Sequence, residues 1–232
     1  MRRWRGILLV VCALLIALVG PLPTAGASVA GVVKAQKRLN ALHCDAGPVD
    51  GKLGTWTKSA VLRFQSRHGL AQTGRLSAGT RTRLYADTAR RCDRRPVPAH
   101  SGKGRRILIS QKQNWLWMIS SKNKVVAQGG IVDNPGVLGR GSHRTGSYCG
   151  RAARVKLNRS GSLWLDNFVR FAPCGIGFHR IPRHMSNGLQ LHADNLLGTN
   201  LATSHGCIRV SAAMSKRLWN ATSGRRTAVR VV

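Results

Sequence analysis

The sequence predicts an α+β fold in two domains, a small helical bundle followed by a larger β-rich unit, and three observations carry that prediction. Between residues 29 and 85 the apolar side chains recur at helical spacing. From residue 107 onward they gather into short runs rich in β-branched and aromatic residues, which suit a pleated, half-buried surface. Between these regions, residues 86–106 lose apolar periodicity and are dominated by Arg, Pro, Ser and Gly, the composition of a basic linker.

Residues 1–27 read as a secretory signal peptide: Arg2, Arg3 and Arg5, then an apolar run over 7–19, then small residues ending in Ala25-Gly26-Ala27. The 13-residue run is short beside the roughly 20 residues a membrane-spanning helix needs, so no stable span is expected once the segment is removed. Retention as a single anchor is the alternative. Cys12 has no small residue just before it, which argues against a lipoprotein anchor.

The helical region, 29–85, divides into three. Val32, Ala35, Leu39 and Leu42 form one stripe. Gly47-Pro48-Val49-Asp50-Gly51 then predicts a tight turn, and Asp50 is first of all a turn former. A second helix starts at Thr55 or Thr57, presents Ala60, Val61 and Phe64, and stops at His68 before Gly69. A third begins after Ser77 as N-cap and carries Thr80 and Leu84. The linker that follows is expected to be a solvated tether.

In the β-rich region, 107–232, strands are expected over 107–110, 115–119, 125–132, 163–171 and 227–232, with turns at Gln113-Asn114 and over 121–124. Trp115 and Trp117 share a face of their strand and are expected to pack in a core. Residues 185–197 read as an inserted loop, and Ser211 as the N-cap of a helix reaching about Trp219.

Export makes disulfides the expected state of most cysteines. Five lie beyond residue 27, and an odd number leaves one thiol over. Pairing within each domain joins Cys44 with Cys92 and Cys149 with Cys174, although the sequence leaves the other pairings of these four open. Cys207 is the natural thiol to stay free. No Cys-x-x-Cys or His-x-x-x-His spacing occurs, so no metal and no other cofactor is expected.

Cys207 sits in Ser204-His205-Gly206-Cys207-Ile208-Arg209. A thiolate attacks carbonyl carbon far better than a thiol, so a nucleophilic cysteine needs a base and backbone N–H groups for the resulting oxyanion. Gly206, lacking Cβ, is expected to let the Cys207 turn aim such N–H groups at that oxygen.

This hexapeptide resembles the signature of the L,D-transpeptidase (YkuD-type) catalytic domain at all six positions. The strand, turn, strand order after residue 107 is similar to that domain's beginning, and Thr145-Gly146-Ser147-Tyr148 resembles its Thr-Gly strand start. Residues 29–85 resemble a peptidoglycan-binding domain of three short helices, through Ala35-Gln36-Lys37-Arg38-Leu39, Asp50-Gly51-Lys52-Leu53-Gly54 and Ala60-Val61-Leu62-Arg63-Phe64-Gln65. The resemblance implies an exported cysteine acyltransferase that cross-links peptidoglycan stem peptides through a Cys207 thioester. An L,D-carboxypeptidase using the same residues, or a non-catalytic wall-binding protein, are the alternatives.

The base is expected to be His179, in Gly177-Phe178-His179, a run similar to the family's histidine segment. Many members place their histidine nearer the cysteine than the 28 residues found here, so His192, 15 residues away, is the second choice. His205 is expected to shape the pocket through hydrogen bonds, Ser204 to cap the turn, and Arg209 to clamp a substrate carboxylate or tie the loop to backbone carbonyls. The net charge is +31, three units of it from the arginines of 1–27. An exported protein of that charge meets peptidoglycan and anionic wall polymers as partners, not nucleic acid.

Overall fold

The computed structural model describes residues 28–232, apart from the side chain of Cys174; the expected targeting segment, 1–27, lies outside the described residues. Three helices come first, α1 (Val29–Ala41), α2 (Thr55–Arg67) and α3 (Ala78–Tyr85). Ser28 and Ser77 cap α1 and α3 by accepting from the N–H groups of Gly31 and Thr80. α2 ends at His68, followed by Gly69 at φ +67°, a left-handed conformation that glycine adopts without strain. The stripes meet in one core with Ala35, Leu39, Ala60, Val61, Phe64 and Leu84. Asp50 takes its turn-forming place, its carboxylate accepting from the Gln36 side chain at 2.8 Å and the Lys52 N–H at 2.9 Å.

Cys44 and Cys92 form a disulfide with Cα atoms 4.9 Å apart, stapling this small core. Cys149 is disulfide-bonded too, while the side chain of its expected partner, Cys174, lies outside the described residues.

Two sheets follow. The first runs β3 (Val125–Gly130), β2 (Trp115–Ile119), β1 (Arg106–Ser110), β10 (Ala228–Val231), β4 (Gly141–Arg144) in spatial order. The second runs β5 (Arg154–Ser160), β6 (Leu163–Arg170), β7 (Gly177–Arg180), β9 (Ile208–Val210), with the short β8 (Arg183–His184) beside β6. Alternate residues of β1 and β2, Ile107, Ile109, Leu116 and Met118, join Val169, Phe178, Ile208 and Val210 of the second sheet in the main core. The amphipathic α4 (Ala212–Ala221), capped by Ser211, adds Met214 and Leu218. Among the described residues no helix is long and apolar enough to cross a membrane.

The other face of β1 and β2 holds Leu108, Trp115, Trp117 and Ile119, so these strands are buried on both sides. What covers that face corrects the reading of 86–106 as a solvated tether. Val97 packs on it, the Trp117 indole N–H donates to the Arg95 carbonyl at 3.0 Å, and the Arg95 guanidinium lies 4.1 Å from the Trp115 ring centroid. Arg95 and Cys92 are both buried. Burial among cations drops the Arg95 pKa to about 9, the charge being desolvated and facing Arg67 and Arg63.

Arg63 of α2 fastens the helices to the β-rich part. Its guanidinium donates to the carbonyls of Cys44 (2.7 Å), Leu197 (3.0 Å) and Asn195, so the turn that precedes the cysteine motif is held from the helical side. One further correction concerns 145–148. Thr145 follows the end of β4 and starts a turn, with its N–H bonded to the Thr227 carbonyl.

Candidate active site

The site is built by the register of three neighbouring strands. β6 and β7 are antiparallel with Val169 opposite Phe178 and Arg170 opposite Gly177. β7 and β9 are parallel with Phe178 opposite Ile208 and His179 opposite Arg209. Extending each register by one residue places Cys207 opposite Gly177 and Phe168 opposite His179. Since Val169, Phe178 and Ile208 face the core, their neighbours face outward, in two rows: Arg170, Gly177, Cys207 and Phe168, His179, Arg209.

Cys207 is a free thiol, and it opens on a cleft of about 750 Å³ that Arg151, Arg159, Phe168, Arg170 and His205 also line. Its Sγ donates to the Gly175 carbonyl at 3.3 Å. Burial pushes the thiol pKa up, against the opposing effects of the Gly177 backbone N–H and the charges of Arg209 and Arg170.

His179 is almost wholly buried, its ring stacked on Phe168 with centroids 6.0 Å apart. Burial lowers its pKa to about 4, helped by Arg209 and opposed by a hydrogen bond to the Arg180 carbonyl and by Asp166. That bond, 2.5 Å from Nδ1, fixes the tautomer: a carbonyl can only accept, so Nδ1 carries the proton and Nε2 keeps its lone pair. Asp166 is itself held by Arg183 through two bonds of 2.6 and 2.9 Å.

His192 bonds the next carbonyl in the same manner, Ala193 at 3.0 Å, and its Nε2 is buried without a partner among the described residues. It belongs to the loop segment after β8, not to a strand beside Cys207. Arg209 is largely buried and does not line the cleft; its charge acts on Cys207, His179 and His192 together.

The motif loop is shaped by Ser204, whose Oγ accepts from the Gly206 N–H at 2.9 Å while its carbonyl accepts from the Asn134 side chain. The Gly206 N–H is thereby committed within the loop. What the position requires of glycine is conformation: φ is +121°, and a Cβ would lie 2.7 Å from Val137 Cγ1. His205 is exposed at the cleft and, among the described residues, makes no side-chain hydrogen bond, contrary to the role expected of it.

Arg170 and Phe168 were invisible to sequence reasoning. Only the alternation of β6, combined with the register to β7, could have brought them to Cys207.

Comparison with known proteins gives two family models that overlap over residues 58–84. A family model described as a putative peptidoglycan binding domain matches residues 28–84, and one described as an L,D-transpeptidase catalytic domain matches residues 58–231. No curated protein matches the chain. Among solved structures, an L,D-transpeptidase from Xylanimonas cellulosilytica DSM 15894 is similar in fold at 22% identity and a TM-score of 0.50, covering 90% of this chain and 97% of that one. A fused Zn-dependent amidase/peptidase/peptidoglycan-binding domain-containing protein from Clostridium acetobutylicum ATCC 824 matches at 20% identity and 0.42, over 89% and 97% of the two chains. An L,D-transpeptidase (Yku) from Stackebrandtia nassauensis matches at 18% identity and 0.42, over 86% and 89%.

Proposed function

Because the chain belongs to the L,D-transpeptidase catalytic-domain family, we propose that it is an exported wall enzyme that joins peptidoglycan stem peptides through a thioester on Cys207. The observation that carries this reading is the pair of rows on the second sheet: a free thiol that opens on a cationic cleft and, on the same face one strand over, a buried imidazole of fixed tautomer. The helical part, matched by the peptidoglycan-binding model, supplies wall affinity.

In the first half-reaction His179 Nε2 takes the thiol proton as Sγ attacks the carbonyl between an L-centre and the terminal D-residue of a tetrapeptide donor. The tetrahedral intermediate collapses, the C–N bond breaks, and the proton passes from His179 to the departing amine, leaving the acyl group on sulfur. In the second, an amine of a neighbouring stem gives its proton to His179 and attacks the thioester, which restores the thiol and leaves an amide cross-link. Water in place of that amine gives a trimmed tripeptide, the carboxypeptidase outcome. Burial, with a smaller contribution from Arg209, keeps His179 unprotonated, and the Arg209 charge favours the developing thiolate, a use for it that needs no contact with substrate.

Incubating the full mature chain with a disaccharide-tetrapeptide and weighing the products tests the reading. Cross-linked dimer with loss of one D-residue supports it, trimmed monomer alone assigns the carboxypeptidase, and no product from a folded protein leaves a wall-binding role.

A further inference from the structure

The outer row of the site reads guanidinium, gap, thiol. Gly177 separates Arg170 from Cys207 and has no side chain, and the ring of Phe168 floors the gap, as a Cβ on Gly177 would lie 2.5 Å from Phe168 Cζ. Neighbouring strands are about 4.8 Å apart, so the two backbones are separated by about 10 Å. The Arg170 charge acts on Cys207 across this span, which, less the two side chains, admits roughly one residue of extended peptide, ~3.5 Å.

Arg170 is only 3% exposed, yet one end of its fork is unused. Its Nε donates to the Ala152 carbonyl at 3.2 Å, while one terminal nitrogen, Nη1, is buried with no partner among the described residues. The guanidinium lies 4.9 Å from the Phe168 ring centroid and lines the cleft beside Cys207. A buried donor without a partner costs stability, and an anion entering the cleft would complete the fork.

We propose that Arg170 is the carboxylate anchor of the donor subsite, binding the free α-carboxylate of the residue on the leaving side of the scissile bond. The spacing then measures length: one residue beyond the bond puts its carboxylate on Arg170, and a second residue would put a neutral peptide group there instead. This rests on the reading of Cys207 as nucleophile, but its test does not need turnover.

The experiment measures, by calorimetry on the full mature chain carrying Cys207→Ala, binding of a stem tetrapeptide ending in a free carboxylate and of the same peptide ending in a carboxamide. The acid is expected to bind about 10- to 100-fold more tightly, the range of a charge-assisted pair. In Cys207→Ala with Arg170→Gln the two peptides bind alike. Arg170→Lys, which keeps the charge without the fork, retains part of the preference and stands in if the glutamine variant does not fold. Equal affinities in the Cys207→Ala chain, a preference that survives both Arg170 changes, or no binding of either peptide at millimolar concentration overturns the proposal. Turnover by the unaltered chain is scored separately: an intact preference without turnover discards the nucleophile and keeps the anchor, and turnover without preference does the reverse.

Discussion

His179 makes the stability of the fold depend on pH. Its folded pKa, about 4, lies below the ordinary 6.5 because burial penalises the imidazolium. As pH falls, the unfolded chain therefore takes up a proton before the folded one. The stability that neutral His179 contributes is complete above about pH 6.5 and is lost progressively toward about pH 4, up to ~3 kcal/mol. Denaturant titrations at successive pH values should show a shallower slope in His179→Gln than in the parent, and unchanged slopes would refute the assignment. Cys207 responds in the opposite direction. Burial holds its thiol above the ordinary 9.0, so alkylation by iodoacetamide should keep accelerating beyond pH 9, and Arg209→Gln should move the profile further up by removing a charge that favours thiolate. Gly206 is constrained by geometry alone. Gly206→Ala forces a Cβ against Val137 at a φ of +121°, for an expected loss of about 1–3 kcal/mol and a larger loss of turnover as the nucleophile loop shifts, read by thermal melts and product assay.

Among the elements, α2 has two tasks, since it fills the helical core and also projects Arg63 into the junction. Arg63→Ala strips the Cys44, Asn195 and Leu197 carbonyls of their donor, and a cost of about 3 kcal/mol is expected from urea unfolding. The disulfide acts on the same unit from the other side. Closing a separation of 48 residues, Cys44–Cys92 restrains the unfolded chain by about 4 kcal/mol, so reduction should lower the melting temperature of the helical part first. The helices were legible in the sequence because their stripes repeat at one period and their caps are serines. β1, β2 and β6 were legible because burial made them apolar. β4 and β5 were not: Gly141–Arg144 has no apolar side chain and pairs with β10, distant in sequence, while Arg154–Ser160 is largely exposed and rich in charge although it pairs with the adjacent β6. The same distance hid the packing of 86–106, where Arg95 looked like solvated charge until Trp115 was placed beneath it. Of the site, Cys207 and His179 could be chosen from motifs, whereas the committed N–H of Gly206 and the place of Arg170 depend on loop geometry and strand register.

At the scale of the whole molecule, the proposed function gives the strong positive charge and the hydrogen-bonded junction one purpose: the helical part would meet the wall while the cationic cleft, joined to it through Arg63 and Arg95, would meet stem peptides. Retention on an acidic wall polymer should weaken steeply as salt rises from about 0.05 to 0.5 M, where screening shortens to a few ångströms. Turnover of a small soluble donor should vary less, because pairing in a partly buried cleft is screened less. The most direct measurement is an acid-quenched intact mass of the full chain after brief mixing with disaccharide-tetrapeptide, followed by peptide mapping. A mass gain equal to the donor less its terminal residue, mapped to Cys207 and absent from Cys207→Ala, is the predicted result. Product formed at an undiminished rate by Cys207→Ala, or an acyl group mapped to any other residue, would contradict it.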